Sequence, residues 1–139
     1  MSIYSQFKTN KNCEENGIKI KFKANDDGSI PAFIIARAGR SNPLWLKTFE
    51  AKTRPFKKEI DEGLLSEADA SKLNIDIFVT ANLKGWENIQ GMDGKTIPYS
   101  YDNAISFFSE LPELFSTLNI KASDKDNFLE ANLKADEKN

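Results

Sequence analysis

The sequence has no histidine and only one cysteine, and these two shortages exclude several kinds of site. Without histidine the chain has no Ser-His-Asp or Cys-His nucleophile pair, no imidazole ligand for zinc and no histidine pH switch. Cys13 alone forms neither an internal disulfide nor a metal site of several thiolates. It lies among polar residues with no fixed cation evident beside it, so an incidental thiol in a reducing compartment is the simpler interpretation.

A surplus of charge of either sign is also absent. The 19 basic and 21 acidic residues give a net charge of −2, which provides no global attraction to phosphate backbones or anionic lipid. No apolar run approaches the roughly 20 residues of a membrane span. The first residues also lack the basic region and apolar block of a signal peptide. We therefore expect no membrane partner, and a protein that stays where it is made.

Large apolar side chains, in contrast, are plentiful. Ten phenylalanines and two tryptophans among 139 residues are enough for a hydrophobic core without metal or disulfide staples. The length is typical of a single domain. We expect one globular domain at 17–134, preceded by a flexible polar segment at 1–16 and followed by a frayed charged tail at 135–139.

The first regular pattern is a strict alternation of apolar and basic residues at 18–23, which is typical of a strand with one buried face. Turn-forming residues follow and end in Gly28, and a second apolar run extends from Ile30 to Arg37. Together these features predict a β-hairpin across 17–37.

Capping residues and prolines predict about five short-to-medium helices after the hairpin, so the predicted fold class is α+β, mostly α. The predicted helix starts are Asn42, Ser66, Ser100, Pro112 and Ser123. Pro55 should end or kink the first helix at Arg54. The helix from Ser66 should extend to Lys84, although 73–79 also alternates with period two and a strand stays open there. Residues 85–98 are predicted to form a loop or a small hairpin.

The acidic residues do not form a motif with catalytic or metal-binding spacing. If Gly28 or Gly94 were the sixth residue of a calcium loop, Lys23 or Ile89 would stand where the first carboxylate must be. No glycine-rich phosphate cradle occurs, and neighbouring acids in the sequence do not indicate a shared cleft. We therefore predict no catalytic residue, no metal, no cofactor and no enzymatic activity.

The alternating strand leaves two interpretations of its lysines open. Lys19, Lys21 and Lys23 form a basic face that could bind nucleic acid, with Phe22 and Phe33 as stacking residues. Strand alternation places Phe22 on the opposite face, however, and outward lysines also protect a sheet edge from unwanted pairing. In a net acidic chain we favour edge protection and solubility, and predict no nucleic-acid partner.

The most apolar stretch, 104–115, is the predicted partner-binding region. Two short helices with wide apolar faces either form the centre of the core or leave a groove for a partner helix. Core packing is the default for any single residue, but the number of large side chains leaves room for a binding face. The candidate partner-binding residues are Phe107, Phe108, Leu111, Leu114, Phe115 and Leu118.

Short sequence blocks, in their order and spacing, resemble the phage tail assembly chaperones of long-tailed bacteriophages. The blocks are IARAG at 35–39, NP at 42–43, RP at 54–55, GWENI at 85–89, DGK at 93–95, IPYS at 97–100, NA at 103–104, LPELF at 111–115 and DNF at 126–128. The resemblance covers about residues 17–130 and includes no active-site motif.

This resemblance implies a protein that binds the tape-measure protein, keeps it soluble and helps the tail tube assemble around it. It also implies action in the bacterial host cytoplasm, absence from the mature virion and possible self-association. Many members of that family also have a longer frameshifted form that recruits the tail-tube protein, and this chain resembles the short form. The alternative interpretation is a structural virion component, such as a tail or head-tail connector subunit.

Overall fold

Three strands and a larger number of helices make up residues 2–137, the part of the chain that the computed structural model describes. The strands are β1 (Ile18–Lys21), β2 (Ala32–Ile35) and β3 (Leu83–Glu87). The α-helices of this part are α1 (Ile3–Phe7), α2 (Lys11–Asn16), α3 (Pro43–Thr53), α4 (Lys57–Asp61), α5 (Glu67–Ala81), α6 (Tyr101–Glu110), α7 (Pro112–Ser123) and α8 (Glu130–Glu137). Two 3-10 turns, Arg54–Phe56 and Lys125–Phe128, precede α4 and α8. The predicted α+β, mostly α, fold class is confirmed.

The strands form one antiparallel sheet in the order β1-β2-β3. Ile20 of β1 lies opposite Phe33 of β2, which in turn lies opposite Trp86 of β3. Gly28 in the connecting turn has a φ of 89°, a conformation that side-chain-bearing residues rarely adopt. The hairpin predicted over 17–37 is therefore confirmed, and its apolar face is directed at the core.

The third strand was not predicted, because its cause is a contact distant in sequence. The backbone N–H of Ala36 donates to the carbonyl of Asn82 at 2.7 Å, and the Asn82 side-chain amide donates back to the Ala36 carbonyl at 3.0 Å. These two bonds hold the residue after α5 beside the end of β2, so the chain continues as a strand. The helix therefore ends at Ala81 rather than at the predicted Lys84.

The open choice between helix and strand at 73–79 is settled as helix. Ser66 caps α5 as predicted, since its hydroxyl oxygen accepts from the Asp69 N–H at 3.1 Å. The helix contacts α3, α6 and β3, and so buries a wide face instead of a narrow stripe. Its buried residues are Ile75, Ile77, Phe78, Val79 and Ala81.

Aromatic rings from the sheet and three helices form the centre of the core. Phe78 of α5 contacts Phe108 and Phe115 edge-to-face, with ring centroids 5.7 and 5.4 Å apart. Phe108 also contacts Phe33 of β2, with a centroid distance of 6.0 Å. These rings bring α5, α6, α7 and the sheet together around one hydrophobic cluster.

The first residues, predicted to be a flexible segment at 1–16, contain α1 and α2 in the structure. Backbone hydrogen bonds connect them to the opposite end of the chain: Asn10 N–H donates to Phe128 at 2.8 Å, and Glu130 N–H donates to Lys8 at 3.0 Å. The division into segment, domain and tail stays a prediction. Of the predicted tail at 135–139, residues 138 and 139 lie outside the described residues.

Candidate partner-binding site

Three of the six predicted partner-binding residues lie in the core. Phe108 and Leu118 have no exposed surface, and Phe115 is also buried. Their side chains pack against the inner faces of α5 and the sheet, so they are unable to contact a partner unless the protein opens. Their role in partner binding stays a prediction, and in the structure these three residues pack in the core.

The other three predicted residues lie nearer the surface. Phe107 and Leu114 are half-buried and pack against the core cluster. Leu111, at the junction of α6 and α7, is 46% exposed. Phe107 and Phe108 both contact the Phe33 ring, with centroid distances of 6.4 and 6.0 Å, so these side chains are directed inward. Of the six residues, Leu111 alone is classed as exposed.

The IARAG block at 35–39 is a junction of the fold. Besides the paired bonds of Ala36, the Arg37 N–H donates to the Glu14 carbonyl at 2.9 Å, and the Ala38 N–H donates to the Ala122 carbonyl at 2.9 Å. The Asn42 side chain donates to the Arg37 carbonyl at 2.9 Å. Three consecutive residues thereby connect β2 to α2, α5 and α7.

A buried ion pair strengthens this junction. The Glu14 carboxylate has no exposed surface and receives hydrogen bonds from Arg37 Nη1 and Thr9 Oγ1, both at 2.7 Å, and from the Ser41 hydroxyl. Burial alone would raise the pKa of Glu14, but the hydrogen bonds from Ser41, Thr9 and Arg37 outweigh it and hold the pKa below its ordinary value. The carboxylate is therefore charged at neutral pH and serves the fold.

A second polar cluster connects α3 to α5 and α6. Asp76 accepts from the Tyr101 hydroxyl at 2.7 Å and pairs with Lys52 at 3.2 Å. The hydrogen bond to Asp76, together with desolvation, raises the pKa of Tyr101 to about 12. The phenol is therefore protonated at neutral pH and donates to Asp76, and the cluster anchors α3.

Beyond this anchor the chain forms an elbow that projects from the body. Pro55, which has no N–H to donate, lies in the 3-10 turn after α3, and α4 begins at Lys57 directly after this turn. Gly63, at a φ of 69°, ends α4, and the Leu64 N–H closes the helix on the Glu59 carbonyl at 2.8 Å. Every residue of α4 (Lys57–Asp61) is exposed. The predicted break at Pro55 is confirmed.

The inner side of this elbow is an apolar groove of about 370 Å³, which we call the α3–α4 groove. Phe49, 40% exposed, and Ile60, 42% exposed, supply its large apolar side chains. Trp45 stacks on Phe49 with ring centroids 5.0 Å apart and fixes that side of the groove. Charged residues of both signs surround it: Glu50, Arg54, Lys57 and Asp61. An amphipathic helix, with an apolar stripe between charges, has the matching chemistry.

Sequence reasoning missed this groove because its two apolar residues are eleven positions apart, on helices separated by a proline. Eleven positions correspond to about three helical turns, so Phe49 and Ile60 share a helical face, but Pro55 interrupts the pattern and the other residues that line the groove are polar or charged. A further signal in the sequence was indirect: Pro55, where a break was predicted, and Gly63 enclose apolar residues in an otherwise charged segment.

The described part of the chain contains no cluster suited to a metal and no membrane-spanning helix. Within residues 2–137, no three cysteine or acidic side chains come together in a way that could hold an ion. In that same range, none of the helices has both the length and the apolar character to cross a bilayer.

Taken together, the fold and the groove define a small α+β protein with a helical arm that exposes apolar surface. Residues 40–139 match a family model described as YdaY prophage protein, and the chain belongs to this family. The match contains the whole α3–α4 groove and begins after the sheet's first two strands. No curated protein and no solved structure matches the chain. The phage-related part of the predicted resemblance is therefore confirmed, and the protein is phage-associated.

Proposed function

We propose that the protein is a non-enzymatic tail assembly chaperone that binds helices of the tape-measure protein in the α3–α4 groove. In this role it keeps the tape-measure protein soluble in the host cytoplasm while tail-tube subunits gather around it. It leaves before the virion is complete. A longer frameshifted form, where one is made, recruits the tail-tube protein.

The observation that carries the proposal is the exposed apolar groove on a projecting arm. Isolated helices of five residues are unstable in water, so α4 depends on its flanking turns for its shape. Phe56, Ile60 and Leu64 nevertheless expose apolar surface along this short segment. A partner helix would cover that surface, and the family match places the same residues in a phage-associated protein.

The affinity of one groove need not be high. A long helical partner offers many similar apolar stripes, so several copies bound along it give avidity from weak single contacts. The charges of both signs around the groove tolerate different flanking residues on the partner. Weak and repeated contacts are also compatible with release when the tube closes around the tape-measure protein.

The test is a pull-down of tape-measure helical fragments with the Ile60→Asp variant. A charge in the groove must be desolvated on binding, so we expect recovery to fall at least tenfold. Ile30→Asp is the matched control, because Ile30 has the same chemistry and is 43% exposed, against 42% for Ile60, but lies outside the groove. Circular dichroism checks that both variants are folded.

Equal recovery by the two folded variants would reject the groove as the binding surface. Mass spectrometry of purified virions separates the chaperone role from the structural alternative. A chaperone is absent from the particle or nearly so, whereas a tail or connector subunit is present in fixed stoichiometry.

A further inference from the structure

A second surface, independent of the α3–α4 groove, lies along the free edge of the sheet. The Phe22 N–H donates to the Pro31 carbonyl at 2.9 Å, so these two opposite residues form a hydrogen-bonded pair. In an antiparallel ladder, opposite residues alternate between hydrogen-bonded and non-hydrogen-bonded pairs. Ile20 therefore bonds to β2, whereas Lys19 and Lys21 direct their backbone N–H and C=O groups away from it. Among residues 2–137, no other segment forms hydrogen bonds with these outward groups.

The space beside this edge is large enough for an added chain. A groove of about 540 Å³ lies along β1, with residues at and before α8 forming its other wall. Its lining includes the apolar side chains of Ile18, Ile20 and Leu133, the amides of Asn127 and Asn132, and the carboxylate of Asp126, which pairs with Lys125 at 2.8 Å. An extended segment in this groove would meet unpaired backbone groups on one side and side chains on the other, as in strand addition.

The charges on the outer face of the sheet indicate what the added strand carries. Lys19 reaches across β2 to Glu87 of β3, with Nζ and Oε2 2.6 Å apart. One lysine of this face therefore already pairs with a carboxylate on a neighbouring strand. Lys21 and Lys23 are exposed, and no ion pair engages them within the described chain. A second copy of β1 would place lysines against lysines, which is unfavourable for cross-strand neighbours.

We propose that the β1 edge binds an extended acidic segment of another protein by strand addition. Strand side chains alternate between faces, so every second residue of that segment lies beside the lysines and the residues between them face the groove. The recognised chemistry is therefore an alternation of acidic and apolar residues. Backbone pairing with Lys19 and Lys21 supplies the affinity, and the carboxylates supply the selectivity.

The experiment uses the full chain labelled for NMR and a blocked six-residue peptide of alternating aspartate and valine. We expect the amide shifts of Lys19 and Lys21 to change and their hydrogen exchange to slow at least fivefold at saturation. A peptide of alternating lysine and valine should leave both unchanged. An aspartate–valine peptide whose pairing amides are N-methylated should also leave the shifts and the exchange rates of Lys19 and Lys21 unchanged.

Two variants separate backbone pairing from charge. Lys21→Pro removes an outward N–H without removing a bond to β2, and we expect at least tenfold weaker binding of the aspartate–valine peptide. Lys21→Glu keeps the backbone groups and should shift the preference toward the lysine–valine peptide. Equal binding of the two unmethylated peptides, or full binding of the N-methylated one, would overturn the proposal. Stronger binding of a short single-stranded oligonucleotide at the same amides would overturn it too.

Discussion

The buried Glu14 carboxylate gives the sharpest test of how the fold is held together, through the substitution Glu14→Gln. The Glu14 side chain has no exposed surface, and that of Arg37 is only 19% exposed, so removal of the charge leaves a guanidinium in a poorly solvated place. Breaking a buried pair by removing one partner costs about 3–5 kcal/mol. For a domain of this size, that corresponds to a fall in Tm of about 10–17 °C.

The assay is urea unfolding followed by circular dichroism, with Glu15→Gln as the matched control. Glu15 is the next residue and is exposed, so its loss should change the free energy of unfolding by less than about 0.5 kcal/mol. Substituting Arg37→Met in the Glu14→Gln protein should restore part of the stability, because the uncompensated cation is removed. Equal stability of the Glu14→Gln and Glu15→Gln proteins would refute the reasoning.

The same residue sets a pH dependence whose sign follows from its lowered pKa. In the unfolded chain Glu14 titrates near its ordinary value of 4.5, and in the folded protein it titrates below that value. Its stabilising contribution is therefore fully present above about pH 4.5 and is lost as the pH falls through the lower folded-state pKa. The difference in unfolding free energy between the wild-type and Glu14→Gln proteins should narrow in that acidic range. A difference that stays constant from pH 7 to pH 3 would contradict this assignment.

Two further predictions concern packing, and each has its control in the same chain. Gly17→Ala should lower the free energy of unfolding by roughly 2–4 kcal/mol, because the φ of Gly17 is 105° and a Cβ there would lie 2.9 Å from Ile34 Cγ2. Gly28→Ala is the control: Gly28 has a φ of 89° but open space around it, so the loss should be only about 1 kcal/mol. Chemical denaturation measures both, and equal losses would show that the contact with β2 does not matter. Phe108→Ala should cost about 3–5 kcal/mol, and the half-buried Phe107 less when changed to alanine. If thermal unfolding showed Phe107→Ala to be more destabilising than Phe108→Ala, the assignment of Phe108 as the core residue would be wrong.

Local signals in the sequence predicted the parts of the fold that depend on local physics. The alternation at 18–23 predicted the hairpin, and the capping residue Ser66 predicted the start of α5. Both signals depend on interactions between residues only a few positions apart. The third strand depends on Asn82 meeting Ala36, a contact across 46 positions that no local pattern contains.

The site was less predictable than the fold, because burial is a property of the whole molecule. Phe108 and Leu118 were included for their size and spacing, but a large apolar residue looks the same in a sequence whether it fills a core or faces a partner. Phe49 and Ile60 line the observed groove from opposite sides of the 3-10 turn that contains Pro55. A sequence pattern can indicate such a turn but not the shape of the surface that forms around it.

The junction at Ala36, Arg37 and Ala38 has a consequence for the order in which the protein folds during synthesis. Its hydrogen-bond partners come from residues 14, 82 and 122, so most of the chain must leave the ribosome before the last of them arrives. Contacts so far apart in sequence close slowly, because a long loop has to be ordered first. The apolar faces of β2 and α5 are therefore uncovered throughout much of translation, and a nascent chain that stalls before residue 122 leaves its hydrophobic interior open to the cell.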